Sequence, residues 1–159
     1  NVNQVKVRDY GLMDFIEPVR AEESVKTARV KDSITKNEGY AFYCYKPHAI
    51  WFQFDIYMLS EPKYDPAKYV MVQPSDSPDW FKKSKVATKD ALKNVQIAWS
   101  KSLKGRSPAI TEFYERFKLT ADDVSNLAFQ VAAKGRKPAD VAKDWVKANS
   151  KRVDAWLGL

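Results

Sequence analysis

Apolar and polar residues follow two textures along the chain. From residue 1 to 99, short apolar runs are broken by turn residues; from 100 to 159, apolar positions recur at helical spacing between recognisable caps. In the second stretch Pro108 opens a helix carrying Ile110, Phe113, Tyr114 and Phe117. Thr120 is placed to cap the next helix, whose acidic first turn (Asp122, Asp123) suits the helix dipole. Val124, Leu127, Ala128 and Val131 form its apolar stripe, and Gly135 ends it. Pro138 starts a helix with Val141, Ala142, Trp145 and Val146 on its inner face. Ser150 caps a last turn or two bearing Val153, Trp156 and Leu157.

The first stretch is less regular. Val5 and Val7 alternate with polar neighbours and predict a half-buried strand before the Tyr10-Gly11 turn. Val25, Ala28, Val30 and Ile34 fit a mostly solvated helix from about Glu22 to Lys36, closed by Asn37-Glu38-Gly39. Tyr40-Ala41-Phe42-Tyr43-Cys44-Tyr45 predicts a strand covered on both faces, stopped by Lys46-Pro47, with a short helix over His48 to Phe52. Further strands are expected at Asp55 to Leu59, Tyr69 to Val72 and Val95 to Trp99. Pro62, Pro66, Pro74 and Pro78 mark a long surface connection between them. The pattern predicts an α/β region over 1–99, with a ligand-facing strand and a Pro-rich cleft segment, followed by a helical region over 100–159.

Composition narrows the function. The chain has 159 residues, 45% apolar and 13% aromatic, enough to build a core. Its net charge of +7 invites a nucleic-acid-binding reading. That reading needs clustered cations, yet the basic residues run from Lys6 to Arg152 among 20 acids, and the densest run, Lys82-Lys83-Ser84-Lys85, is short. A basic surface without nucleic acid is the expectation. Cys44 is the only cysteine, so no internal disulfide or Cys-based metal site can form. No apolar run is long enough to span a bilayer, and the chain opens at Asn1 rather than Met, which allows secretion. An enzyme is not expected. There is a single His, and no Gly-rich phosphate loop, Gly-x-Ser-x-Gly elbow or His-Glu-x-x-His site. A Cys44–His48 nucleophile pair is disfavoured across a strand end and a proline. No cofactor and no metal is called for.

The unusual feature is aromatic density: Tyr40, Phe42, Tyr43, Tyr45, Trp51, Phe52 and Phe54 lie within one short stretch. A cation without N–H donors, such as trimethylammonium, is held by cation–π attraction and shape, which requires several aromatic faces. Tyr45 closes the expected strand, where α/β sheets present ligand-facing groups.

Tyr43-Cys44-Tyr45-Lys46-Pro47-His48-Ala49-Ile50-Trp51-Phe52, followed by Phe54-Asp55-Ile56-Tyr57-Met58-Leu59-Ser60-Glu61-Pro62, resembles a segment of the glycine betaine/choline-type substrate-binding proteins of ABC importers. There a Trp-x-Pro-His-Trp motif closes a strand before an Asp-Leu-x-x-Leu-x-Asp-Pro-like stretch. Pro138 to Asn149, with Val153-Asp154-Ala155-Trp156-Leu157, is similar to that family's closing pattern. Here Tyr45 holds the first motif Trp, and Ala49 the second, with Trp51 two places later.

The resemblance runs from about Gly39 to the end. It implies a type II periplasmic-binding-protein fold of which this chain supplies the second lobe plus C-terminal helices. It also implies an extracytoplasmic protein that hands glycine betaine, choline or another methylated or small amine to an ABC permease. Tyr45 is then the first candidate for a wall of the cation cage, Tyr43 the second. His48 is a candidate donor to a substrate carboxylate, though a His after Pro also suits a helix start, and Trp51 and Trp80 are candidates to complete the cage. The terminal helices would leave an apolar face without a first lobe, so the isolated chain is expected to form a homodimer, swap or pack on a partner.

Overall fold

The computed structural model describes all residues, 1–159. The helical reading of the C-terminal stretch holds closely. Helices α6 (Pro108–Arg116), α7 (Ala121–Ala132), α8 (Pro138–Ala148) and α9 (Ser150–Leu157) follow one another as expected. Thr120 caps α7 through a reciprocal box: its hydroxyl accepts the Asp123 N–H at 3.0 Å, while the Asp123 carboxylate accepts the Thr120 N–H at 2.8 Å. Gly135, at φ +66°, supplies the left-handed turn beyond α7. Ser150 begins α9 rather than capping it, and Asn149 takes the cap position. Earlier helices are α1 (Val2–Asp9), α2 (Glu23–Lys36), and the single turns α3 (Ile50–Gln53), α4 (Trp80–Lys83) and α5 (Leu103–Arg106). Asn37, in the left-handed conformation at φ 54°, ends α2.

The strand expectations are largely corrected. The only sheet pairs β1 (Tyr69–Val70) antiparallel with β2 (Lys85–Val86), in register Tyr69↔Val86 and Val70↔Lys85. Val5 and Val7 belong to α1: Val2 and Val5 also fit a helical period, and two alternating valines are too few to choose the strand. Tyr40–Tyr45, Asp55–Leu59 and Val95–Trp99 are irregular. β-propensity records fit to a pleated surface, and these runs have no neighbouring strand to supply one.

Two compact units result: Asn1–Tyr43 with Tyr57–Asn94, and Cys44–Ile56 with Val95–Leu159. In the first, α1 packs on β2. Val5 and Val86 are fully buried, each worth about 1.5–3 kcal/mol on burial. The Asp9 carboxylate accepts the Val86 N–H at 2.6 Å, and Arg8 donates to the carbonyls of Phe81 and Ser84. In the second, α3 packs on α7, burying Ile50, and α6 and α8 pack on α9 around Trp156. The Trp156 ring meets Phe117 at 4.6 Å and stacks on Trp145 at 5.7 Å. Arg152 lies over both indoles, at 5.1 and 5.6 Å from their centroids, and its guanidinium is bonded to Asp123 at 2.9 Å. No helix is long and apolar enough to cross a membrane.

Candidate functional site

In the second unit, the segment Cys44–Gln53 wraps onto the start of α7. Its turn is the cis peptide Lys46-Pro47. The buried Ser125 hydroxyl accepts the His48 N–H at 3.0 Å and donates to the Ala121 carbonyl at 2.6 Å, tying the turn to α7. His48 Nδ1 accepts the Ile50 N–H at 3.1 Å, so its ring caps α3 and the proton of the neutral imidazole sits on Nε2. That ring meets Tyr45 edge-on, centroids 5.7 Å apart. Trp51 Nε1–H donates to the Tyr45 carbonyl at 3.0 Å. Together these contacts fix the Tyr45 backbone and ring while 55% of the residue stays exposed. Lys46 reaches across: its Nζ lies 5.2 Å from the Trp51 centroid and 2.9 Å from Asp122 Oδ1.

Of the five residues singled out in the sequence, Tyr45, His48 and Trp51 therefore converge in this one segment. Tyr43 and Trp80 lie in the first unit. Trp80 sits edge-on to Phe81, centroids 5.6 Å apart, and with it lines a shallow, largely apolar cavity of about 200 Å³ together with Gln4, Met13 and Pro18. That is below the usual range of small-molecule pockets.

Tyr43 stands in an aromatic group that sequence reasoning did not assemble. The Tyr64 and Tyr69 rings lie 6.0 Å apart, and Tyr69 donates to Asp90 Oδ1 at 2.7 Å. Burial, the Asp90 hydrogen bond, and the nearby Asp90, Tyr43 and Tyr64 groups push the Tyr69 phenol up to about 12. Lys6, itself buried, joins the arrangement: its Nζ lies 2.7 Å from Glu61 and 3.6 Å from Asp90, while Tyr10 donates to Glu61 at 2.8 Å. Burial and Glu61 raise the Tyr10 phenol as well. The group offers π faces beside a net negative charge, an environment suited to a cation. Its only trace in the sequence was the spacing of tyrosines among Pro62 and Pro66.

A family model described as the substrate binding domain of ABC-type glycine betaine transport system matches residues 1–148. The chain belongs to this family. The match takes in residues 1–38, ahead of the motifs that carried the resemblance, and covers both structural units. Comparisons with curated proteins and with solved structures return no match. Membership brings a periplasmic-binding-protein fold, a small-molecule ligand and an ABC transporter as partner. The family binds solutes rather than transforming them.

Proposed function

We propose that this protein captures a betaine-like quaternary ammonium solute outside the cytoplasm and delivers it to an ABC permease. In this reading the chain supplies the second lobe and C-terminal helices of a type II binding protein, and Tyr45 forms an aromatic wall of the cation site. The observation that carries it is the setting of Tyr45. Its ring is largely exposed, braced by His48 and anchored through its carbonyl by Trp51, within a protein of the glycine betaine transport family. A face held in place loses little freedom when a trimethylammonium group docks on it. His48 and Trp51 hold that wall in position.

Titration calorimetry of the protein against glycine betaine, choline and unmethylated glycine tests this. Binding of one or both quaternary amines, with glycine ignored and little dependence on salt, is the expected result. Failure to bind any methylated amine at millimolar concentration would remove the proposal, and steeply salt-dependent binding to nucleic acid would replace it.

A further inference from the structure

Ser125 is a polar residue at a place where its own helix has no use for one. It is fully buried in the second turn of α7, where Ala would have the higher helix propensity and no hydroxyl to bury. Its proton stays within the helix, on the Ala121 carbonyl at 2.6 Å. What the side chain adds is therefore an acceptor, and that acceptor takes the His48 N–H at 3.0 Å, from 77 positions away in the chain. His48 follows Pro47, which has no N–H, so this is the first donor the chain offers after the turn.

The rest of the segment lies along the same face of α7. Lys46 pairs with Asp122, His48 with Ser125, and Phe52 with Phe129, whose ring centroid is 6.4 Å away. Positions 122, 125 and 129 follow the i, i+3, i+7 spacing of one helix face, and 46, 48 and 52 meet them in order. The two outer contacts are the looser ones: the Lys46–Asp122 pair is exposed and contributes little, and Phe52 is 41% exposed. The bond to Ser125 is buried and directional, so it sets the register of the segment on the helix. A short relay leads from it to the aromatic wall. His48 Nδ1 takes the Ile50 N–H, which fixes the imidazole, and the imidazole meets Tyr45 edge-on at 5.7 Å.

Resting on the reading of Tyr45 as the wall of the cation site, we propose that Ser125 is a positioning residue for ligand capture. Its hydroxyl oxygen sets the orientation of the turn at 46–48, and so where the Tyr45 ring stands, without touching the solute. Removing that acceptor leaves the His48 N–H unpaired in a partly buried place, which favours arrangements of the turn that expose it to water. A wall held in its binding position about a tenth of the time binds about tenfold more weakly, because apparent affinity scales with the competent fraction.

Ser125→Ala is expected to weaken binding of glycine betaine or choline about tenfold in calorimetry. Thr111→Val is the comparison. Thr111 is also buried, on α6, and its hydroxyl donates to the Pro108 carbonyl of the same helix at 2.7 Å, so its loss costs stability and leaves affinity alone. A second readout needs no solute. His48 is the sole histidine, so its ring protons are readily identified by nuclear magnetic resonance. Their cross-relaxation with the Tyr45 ring should be present in the parent protein and in Thr111→Val, and lost or weakened in Ser125→Ala. Ser125→Cys, which keeps the size and bonds weakly, should fall between, and it carries the test if the alanine variant does not fold. Parent affinity or an undisturbed ring contact in Ser125→Ala, or equal losses in Thr111→Val, would overturn the proposal. A parent protein that binds no methylated amine overturns the reading of Tyr45 instead, and the ring contact then decides by itself whether Ser125 positions this segment.

Discussion

The Lys46 ammonium stands 5.2 Å from the centre of the Trp51 ring and 2.9 Å from the Asp122 carboxylate. The protein thus lays one of its own cations on an indole at the segment proposed to hold a cationic ligand. The face that Lys46 covers is closed to a second cation by like-charge repulsion, which leaves Tyr45 as the main exposed ring there. The Asp122 pairing steadies Lys46 in that place.

Replacing Lys46 by Gln removes the resident charge and leaves Asp122 in position. Affinity for a quaternary ammonium should rise several-fold, with a change in Trp51 fluorescence on binding. Calorimetry and emission spectra measure the two together, and unchanged affinity would place the cation away from this segment.

Tyr45→Leu keeps bulk and removes the π face. Binding of glycine betaine or choline should weaken by about 1–2 kcal/mol, several-fold to some thirty-fold. An unaltered Kd for every quaternary amine tried would take Tyr45 out of the site.

Trp156 is the largest buried side chain of the C-terminal helices and packs on both Phe117 and Trp145. Trp156→Ala should cost about 3–5 kcal/mol, because the cavity left behind cannot fully collapse. Urea unfolding followed by circular dichroism gives the value. A loss below 1 kcal/mol would show that this cluster does not hold α6, α8 and α9 together.

Asp123 joins the α7 cap to Arg152. The Arg152 hydrogen bond is the largest influence and, with the Thr120 contacts, holds the Asp123 carboxyl at about 2, well below the ordinary 3.8. A depressed folded-state value stabilises the fold above the unfolded one. That contribution is therefore complete above about pH 4 and is lost as pH falls toward 2. Thr120→Ala should cost about 1 kcal/mol at neutral pH. Asp123→Asn should flatten the acid limb of stability between pH 4 and 2, and an unflattened limb would assign it to other carboxylates.

The Tyr69 phenol carries the opposite sign. Raised to about 12 in the folded protein, it stabilises the fold below pH 10, and the contribution fades as pH climbs from 10 through 12. Ultraviolet titration should find two late phenolates, Tyr10 and Tyr69, and Tyr69→Phe should remove one of them. Asp90→Asn should bring the Tyr69 ionisation earlier, by removing the nearby negative charge.

Helix starts were legible because their signals are local. Pro108 and Pro138 pre-set φ at a first turn, and Thr120 and Asp123 complete a cap within four residues, so no distant part of the chain is consulted. The aromatic Pro-His segment was likewise visible as a pattern, and with it the family. Sheet was not, because a strand exists only through its neighbour. Tyr40–Tyr45 and Val95–Trp99 carry strand residues yet find no ladder, whereas Lys85–Val86, in a run read as basic surface, pairs with Tyr69–Val70. The His48 ring at the start of α3 follows its place after Pro47, as the sequence suggested, whereas tertiary structure alone set Lys46 against Asp122 and gathered Tyr64, Tyr69 and Asp90 into one group. The Lys46–Asp122 and Tyr69–Asp90 contacts join residues 76 and 21 positions apart, a proximity that the order of the sequence does not encode.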